Sequence, residues 1–428
     1  MSLGLFRKFF RKENFNFDRS DIDLDIFHPQ LKLLILPLGI FFNNNKSKLR
    51  IIWPLGNVMM SFVSIGLELM FVLHGITTKD YFFATECFSY FVMMGIVPFI
   101  YGSLIINRKD LLILVDEMNN DFIVICAATS HHRKYFLNKQ LLIWKLCIAW
   151  LMFTATVSLM FTLMALVPLL YLSLFGTQDE HYIRPLIFPV WLPKDDPYKT
   201  PNYELFLCFE LCCCLIFTQC FPVFVYLQLH ALLHICVKLD LIVFNLNAIF
   251  EGLDESTASL SQRDERRVAT QRTLNERMQR IIKWHVSVFK SIDELSTIIG
   301  APLAYQIVFS SLYVCLIMYQ LAVNLEDGVL NIKFLALFFG ACLQLGIPCL
   351  LGSIIQDKAF AVGDACWQCG WHNSPLGQLL RQDILIVMAR AQQPLTIKYT
   401  GLPQLSLQTF SSIMNTAYSY FNMLRQYN

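Results

Sequence analysis

Six long runs of apolar residues, separated by shorter polar segments, set the pattern of the sequence. They cover residues 51–73, 81–106, 141–175, 205–230, 299–323 and 334–355. A helix needs about 20 mostly apolar residues to cross the hydrocarbon core of a bilayer, and each run supplies them. The third run is longer than a bilayer requires, so we expect its first turns, around Lys145, to protrude into the cytoplasm. The pattern predicts an all-α membrane protein.

A seventh segment, residues 405–426, is far less apolar but carries a regular stripe of polar residues. The stripe recurs every three or four residues and consists of Gln408, Ser412, Asn415, Ser419, Asn422 and Gln426. This spacing places all six side chains on one face of a helix. In a membrane-spanning helix such a face must meet water or protein, because unsatisfied amides are costly in hydrocarbon.

Two interpretations of this stripe are open on these residues alone. It could form a helix–helix interface held by Asn and Ser hydrogen bonds. It could also line a water-filled pore, around which several subunits each contribute one such helix. Met423 and Tyr427 flank the outer end of the stripe. A ring of bulky apolar side chains at that level could close a pore by dewetting.

Composition narrows the class of protein. Of the 428 residues, 55% are hydrophobic and 15% are charged, whereas soluble domains carry about 25% charged residues. This deficit argues against a soluble enzyme, and the formal net charge of +2 provides no basic surface for nucleic acid. No P-loop, G-x-S-x-G or H-E-x-x-H motif occurs, so we predict no catalytic residue and no cofactor. Cys366, Cys369 and His372 have a metal-like spacing, but a lone cysteine pair with one histidine does not predict a metal site.

The distribution of Lys and Arg predicts the orientation. Segments 1–50, 107–140, 231–298 and 356–404 hold 27 of these residues, and the segments on the opposite side hold 6. Cytoplasmic loops retain positive charges, so we expect the amino terminus in the cytoplasm and the carboxyl terminus outside the cell. This orientation is opposite to that of G-protein-coupled receptors.

Three acidic residues, Glu68, Glu86 and Glu210, lie inside apolar runs. An unpaired charge at the centre of a bilayer costs ~2.5–3.5 kcal/mol. We therefore expect Glu86 and Glu210, near the outer ends of their helices, to be solvated and Glu68 to pair with a neighbouring helix.

Two segments outside the apolar runs have structural signatures. Residues 176–204 are rich in proline and aromatic residues, which favours a folded lid at the outer surface, although a simple connector is the alternative. Residues 262–298 carry apolar positions at helical spacing and predict an amphipathic cytoplasmic helix that continues into the fifth membrane helix. The apolar face of that helix could contact another subunit or pack on its own chain.

Three segments of the sequence contain motifs of one known family. The carboxyl-terminal sequence LSLQTFSSIMNTAYSYFNMLR, residues 405–425, is similar to the signature of that family. The sequence MARAQQPL at 388–395 resembles its cytoplasmic M-x-R-x-Q-x-P-L element, and FPVWLP at 188–193 resembles its outer loop. With these motifs the chain resembles the insect odorant receptors. One departure is IKYTG at 397–401, where many members have a small-residue Thr-Ala-Gly run.

The resemblance implies a function and an assembly. Members are odorant-gated channels for monovalent and divalent cations, built from four seven-helix subunits around a central pore that the last helix lines. Here it implies a gate ring at Met423, with Ser419 and Gln426 on the conduction path; Asn422 and Tyr427 complete our predicted pore residues. The partners implied are a shared co-receptor subunit or further copies of this chain, a volatile ligand, and the lipid of a sensory neuron's plasma membrane.

This implied architecture divides the chain into four parts. Residues 1–50 are a cytoplasmic segment, and residues 51–355 hold six membrane helices, the odorant pocket and the lid. Residues 356–404 are a cytoplasmic helical anchor, and residues 405–428 are the pore-lining helix. The competing hypothesis is a seven-helix membrane receptor or carrier without a pore of its own.

A volatile ligand is small and apolar, so we expect its pocket to be a largely hydrophobic cavity. The predicted orientation places these candidate residues in the outer halves of the helices: Phe88, Phe91, Met94, Thr156, Met160, Met164, Phe209, Cys213, Leu335, Phe338 and Phe339. Met and Phe provide an adaptable wall that discriminates ligands by shape. Helix packing explains any single one of them equally well, so the prediction concerns the group. Trp191 in the lid could shield the entrance.

Overall fold

The computed structural model describes residues 17, 22–39, 49–127, 130–175, 184, 186–397, 401 and 403–427. Its helices are α1 Leu24–Phe27, α2 Pro29–Ile35, α3 Leu49–Thr78, α4 Tyr81–Ile106, α5 Arg108–Cys126, α6 Ser130–Phe175, α7 Asn202–Asn247, α8 Glu265–Glu326, α9 Ile332–Gln368, α10 Gly377–Ala391 and α11 Leu407–Tyr427. Short 3-10 helices follow α2 and α7, and the described residues contain no strand. The predicted all-α fold class is confirmed.

Within the described residues, six helices are long and apolar enough to cross a membrane, namely α3, α4, α6, α7, α8 and α9. Each predicted apolar run falls inside one of them. Helix α11 is too polar to meet the same criterion. Its 21 residues nevertheless extend about 31 Å at 1.5 Å per residue, which matches the thickness of the hydrocarbon core.

Three of these helices are much longer than a bilayer requires. Helices α6 and α7 have 46 residues each and α8 has 62, so they extend about 70 to 90 Å. Their remaining turns pack with α1, α2, α5, α10 and the end of α9 into a second body of helices. We call this body the cytoplasmic layer, following the predicted orientation.

Helix α8 shows how the membrane part and the cytoplasmic layer are joined. Asp264 caps its start by accepting a hydrogen bond from the backbone N–H of Arg266 at 2.9 Å. The helix then runs unbroken into the membrane part, so the predicted continuous amphipathic helix is confirmed. Its apolar face is buried against this chain, with Leu274, Met278 and Ile281 each inaccessible or nearly so. This favours packing within the subunit for that face.

A chain of buried polar side chains ties the cytoplasmic layer together. Lys238 Nζ lies 2.8 Å from Asp121 Oδ2, and the Lys238 side chain is only 2% exposed. His234 donates from Nε2 to the same Asp121 oxygen at 3.0 Å and accepts at Nδ1 from the Gln140 amide at 2.9 Å. Gln140 in turn accepts from Nε2 of His28 at 3.1 Å. These bonds link the amino-terminal helices to α5, α6 and α7.

Burial and charge set the protonation of two groups in this chain. Burial alone would raise the pKa of Asp121, but the hydrogen bond from His234 and the positive charge of Lys238 hold that pKa below its usual value. Burial lowers the pKa of His28 to about 3, although its hydrogen bond to Gln140 opposes the shift. The His28 ring is therefore neutral at physiological pH, whereas Asp121 is ionised.

The outer carboxylates differ from the expectation of solvation. Glu210 is buried, and its Oε2 accepts a hydrogen bond from the backbone N–H of Ile187 at 2.7 Å. Glu86 forms an ion pair with Lys333 at 2.6 Å. Glu68 is also buried, and one of its oxygens has no hydrogen-bond partner. We expected water to solvate Glu210 and Glu86. In the structure a backbone amide donates to Glu210 and a lysine pairs with Glu86 instead.

The described part of segment 176–204 is folded onto the outer helix ends. Besides the bond from Ile187 to Glu210, the Phe188 ring lies 4.5 Å from the Tyr90 ring, measured between centroids. Trp191 stacks on His74 of α3 at 3.8 Å. This packing favours the lid interpretation over a simple connector.

Candidate functional site

Two adjoining cavities lie among the membrane helices, with volumes of about 50 and 80 Å³. The first lies between α4, α7, α8 and α9, and the second between α6, α7 and α9. Both are lined by Met93, Phe217, Phe221, Tyr313, Ala341 and Gln344. Among the residues that line either cavity there is no charged side chain. Aromatic rings and uncharged polar groups therefore decide what can bind there.

The cavities lie near the middle of the membrane part. Phe217 is about 22 Å along α7 from its first residue, and Met93 is about 18 Å along α4. Trp150 lines the second cavity, and its indole N–H donates to the carbonyl of Pro222 at 3.0 Å. This bond fixes the tryptophan ring and satisfies its buried indole N–H.

The predicted pocket residues do not form one site. Met94, Met160, Phe209 and Cys213 pack together beneath the lid, and Phe88 packs beside them with Val190 of the lid. Thr156, Met164 and Phe339 are exposed on the protomer surface, Phe91 and Leu335 are partly exposed, and Phe338 packs near α11. None of the eleven lines either cavity. The cavities lie one to two helical turns deeper than most of the predicted group.

Sequence reasoning therefore missed the residues that do line the cavities. Met93 neighbours the predicted Met94 on α4, but only Met93 lines the cavities, and Phe217 lies one turn beyond Cys213 on α7. Tyr313 and Gln306 come from α8, which supplied no predicted residue. Polar residues inside the apolar runs, such as Gln306 and Gln344, were the signal that could have located the cavities.

The polar stripe of α11 faces away from the protomer. Gln408, Ser412, Asn415, Ser419 and Gln426 are exposed, and Asn422 is partly exposed. A shallow groove of about 500 Å³ runs along this face. Met423 is 56% exposed, and Tyr427 ends the helix, with a side chain outside the described part of the structure. The stripe is therefore available to water or to another subunit.

The opposite face of α11 packs on α8 and α9. Ala417 forms one buried cluster with Val314 and Ala341, which also line the first cavity. Met414 of α11 packs against the same cluster. Val314 and Ala341 thus belong both to the wall of the first cavity and to the surface on which the last helix packs.

Both ends of α11 are fixed to neighbouring helices. At its start, the backbone N–H of Leu407 donates to Ser353 Oγ at 3.0 Å, and the carbonyl of Leu405 lies against Gly352. At its outer end, Arg425 forms an ion pair with Glu326, the last residue of α8, at 2.8 Å. Helix α9 therefore holds the start of the last helix, and α8 holds its other end.

Comparison with known proteins identifies the family. The family model for seven-transmembrane odorant receptors, described as "7tm Odorant receptor", matches residues 103–418, which is most of the chain. The chain belongs to the odorant receptor family. The match includes α6, α7, α8 and α9, which supply most of the residues that line the two cavities, and more than half of α11.

Relatives of this odorant receptor are similar at low identity. Odorant receptor 13a of Drosophila melanogaster is 25% identical over 160 residues, covering 35% of this chain and 38% of that protein. Odorant receptor Or2 of Anopheles gambiae is 21% identical over 253 residues, covering 57% of this chain and 61% of that protein. The receptor thus matches less than two thirds of the length of either relative.

Solved structures match over nearly the whole receptor. The olfactory receptor OR5 from Machilis hrabei covers 95% of this chain, with 99% of its own chain matched, a TM-score of 0.67 and 16% identity. The same protein in complex with eugenol covers 94% of this chain, with 100% of its own chain matched, a TM-score of 0.68 and 17% identity. At this level of identity the similarity shows that the receptor has this fold.

Proposed function

We propose that this receptor is a subunit of a cation channel that a volatile organic molecule opens. The observation that carries the proposal is the exposed polar face of α11 in an otherwise apolar membrane part. A single stripe cannot enclose water, so several subunits are needed around one axis. Four copies, either of this chain or of this chain with a shared co-receptor, place Ser419, Asn422 and Gln426 along the ion path and Met423 and Tyr427 at the gate.

The family resemblance and the charge distribution complete the proposal. The receptor lies in the plasma membrane of a sensory dendrite, with its amino terminus in the cytoplasm and its carboxyl terminus outside. Residues 1–50 and 356–404 belong to the cytoplasmic side, and residues 405–428 form the pore helix. Both monovalent and divalent cations pass, as the family resemblance implies, and the uncharged amides and hydroxyls of the stripe provide no ring of fixed charge that would separate the two.

The ligand binds in the two central cavities under this proposal. A related fold is known in complex with eugenol, which supports a small volatile ligand here. The cavities of about 50 and 80 Å³ are smaller than the ~150 Å³ cavity that admits benzene in another protein. A ligand must therefore displace side chains such as Met93 and Phe217. This displacement reaches α11 through Val314 and Ala341, which line the first cavity and also contact the last helix.

Opening requires that the ligand bind the open state more tightly than the closed state. A tenfold shift of the gating equilibrium needs about 1.4 kcal/mol of differential binding. Small changes in packing are enough to supply this difference in binding free energy, because one methylene in a pocket changes binding by ~1–3 kcal/mol. The displacement of packed aromatic side chains changes the packing by at least as much.

Whole-cell recording tests the proposal. Cells that express the receptor, alone and with an insect co-receptor, are exposed to a panel of neutral volatiles at a negative holding potential. We expect an inward current that disappears when external sodium and calcium are replaced by a large organic cation. Uptake of a volatile, or G-protein signalling, without such a current in either combination would instead support the receptor or carrier hypothesis.

Gly95 provides a test of the cavity. A Cβ atom at this position would lie 2.2 Å from the hydroxyl of Tyr305, which now donates to the carbonyl of Val92 at 2.8 Å. Gly95→Ala should therefore push the Tyr305 ring into the first cavity and raise the EC50 of an activating volatile by roughly 10-fold or more. Concentration–response curves of the current provide the measurement.

The matched control for this variant is Gly102→Ala on the same helix. A Cβ atom at Gly102 meets nothing within 4 Å, so its EC50 should equal that of the wild type. Equal EC50 values for both variants would show that the space around Tyr305 does not receive the ligand.

A further inference from the structure

One buried amide in the first cavity lacks a hydrogen-bond partner. Gln306 of α8 lines this cavity and is only 3% exposed, and its Nε2 atom has no partner. A buried donor without a partner is unfavourable, because it has lost its bonds to water and gained nothing in return. The Gln306 amide is therefore placed to donate to a molecule that occupies the cavity.

Two hydroxyl groups near Gln306 already have partners. The Ser310 hydroxyl donates to the backbone carbonyl of Gln306, and the Tyr305 hydroxyl donates to the carbonyl of Val92 at 2.8 Å. The Gln306 amide thus has an unused N–H where these two donors do not.

The rest of the lining limits the ligand further. Phe217, Phe221 and Phe309 surround the cavity, and no charged side chain lines it. An ionised carboxylate or ammonium group would enter without a counter-charge, which is costly in an apolar site. A neutral molecule with an apolar body meets no such cost.

We propose that Gln306 donates a hydrogen bond to the ligand and selects neutral volatiles that carry an oxygen acceptor over hydrocarbons of the same shape. The inference rests on the proposed function of the cavity as the ligand site. A carbonyl oxygen is the best acceptor for an amide N–H, so ketones, aldehydes and esters are the ligand class. A hydrocarbon of the same shape fills the same space but leaves the amide unsatisfied.

Matched pairs of volatiles test this selection. Acetophenone and isopropylbenzene have nearly the same shape, as do cyclohexanone and methylcyclohexane, but only the ketones have an acceptor. We expect the EC50 of the wild-type channel to be about 10-fold lower for each ketone than for its hydrocarbon, which corresponds to about 1.4 kcal/mol. In Gln306→Leu this ratio should fall to about one. The ketone loses its hydrogen bond, and the hydrocarbon no longer leaves a buried amide unsatisfied.

Ser310→Ala is the matched control. It removes a hydroxyl from the same cavity, one turn along α8, but leaves the Gln306 amide in place. It should keep the preference for ketones. Two results would overturn the inference and leave the proposed function intact. In the first, hydrocarbons open the wild-type channel at a concentration equal to or lower than that of the ketones. In the second, Gln306→Leu keeps the preference for ketones. No current from any of the four probes, with the receptor present at the cell surface, would overturn both.

Discussion

Replacing Lys238 by methionine is expected to destabilise the cytoplasmic layer more than any other single change of charge. The substitution leaves Asp121 ionised and buried, and within the described part of the chain His234 is its one remaining hydrogen-bond partner. Breaking a buried ion pair in this way costs about 3–5 kcal/mol. We expect the thermal midpoint of the purified receptor to fall by roughly 5–10 °C, as measured by fluorescence-detected size-exclusion chromatography.

Two further variants separate the ion pair from a general effect of lost charge. Arg272 pairs with Glu276 on the exposed surface of α8 at 3.5 Å, so Arg272→Met should change stability by less than about 1 kcal/mol. Adding Asp121→Leu to Lys238→Met removes both charges and should recover part of the loss. If Lys238→Met and Arg272→Met have equal midpoints, the buried pair does not hold the layer together.

Gly352→Ala is expected to uncouple ligand binding from the last helix. A Cβ atom at this position would lie 2.4 Å from the carbonyl oxygen of Leu405 and 3.1 Å from its carbonyl carbon. Because the obstruction is backbone, the segment that leads into α11 must move by several tenths of an ångström. We expect the maximal odorant-evoked current to fall by about 10-fold or more, the equivalent of about 1.4 kcal/mol in the gating equilibrium.

Gly346→Ala on the same helix is the control for this variant. Its Cβ atom would lie 3.5 Å from the Phe410 ring of α11, an ordinary contact. Its current should therefore stay close to that of the wild type at equal surface expression. Wild-type currents from Gly352→Ala would show that α11 tolerates a shift at its start and that gating does not depend on this contact.

Much of the fold could be predicted from the sequence because membrane solvation acts on long stretches of chain. Each apolar run of about 20 residues must be helical in lipid, and all six were located. The polar stripe from Gln408 to Gln426 could also be predicted, because helical periodicity fixes which residues share a face. In the structure this face is exposed on the protomer.

The buried ion pair and the cavity could not be predicted in the same way. Lys238 and Asp121 are far apart in the sequence, and only the packing of α5 against α7 brings them together. The cavity depends on which way each side chain points: Met93 and Met94 are adjacent, yet only Met93 lines it. Helices of 46 and 62 residues also have ends that do not mark the membrane surface. The depth of a cavity along these helices therefore could not be predicted from the sequence.

The most direct test of the central claim is chemical modification of cysteines along α11. Ser412→Cys, Asn415→Cys and Ser419→Cys lie on the exposed face, and Ala417→Cys lies on the buried face. A charged thiol reagent applied during odorant exposure should block most of the current of the first three variants. The wild type, with its native cysteines, and Ala417→Cys should keep their currents. Labelling of the exposed-face cysteines without any change in current would contradict a pore bordered by this helix.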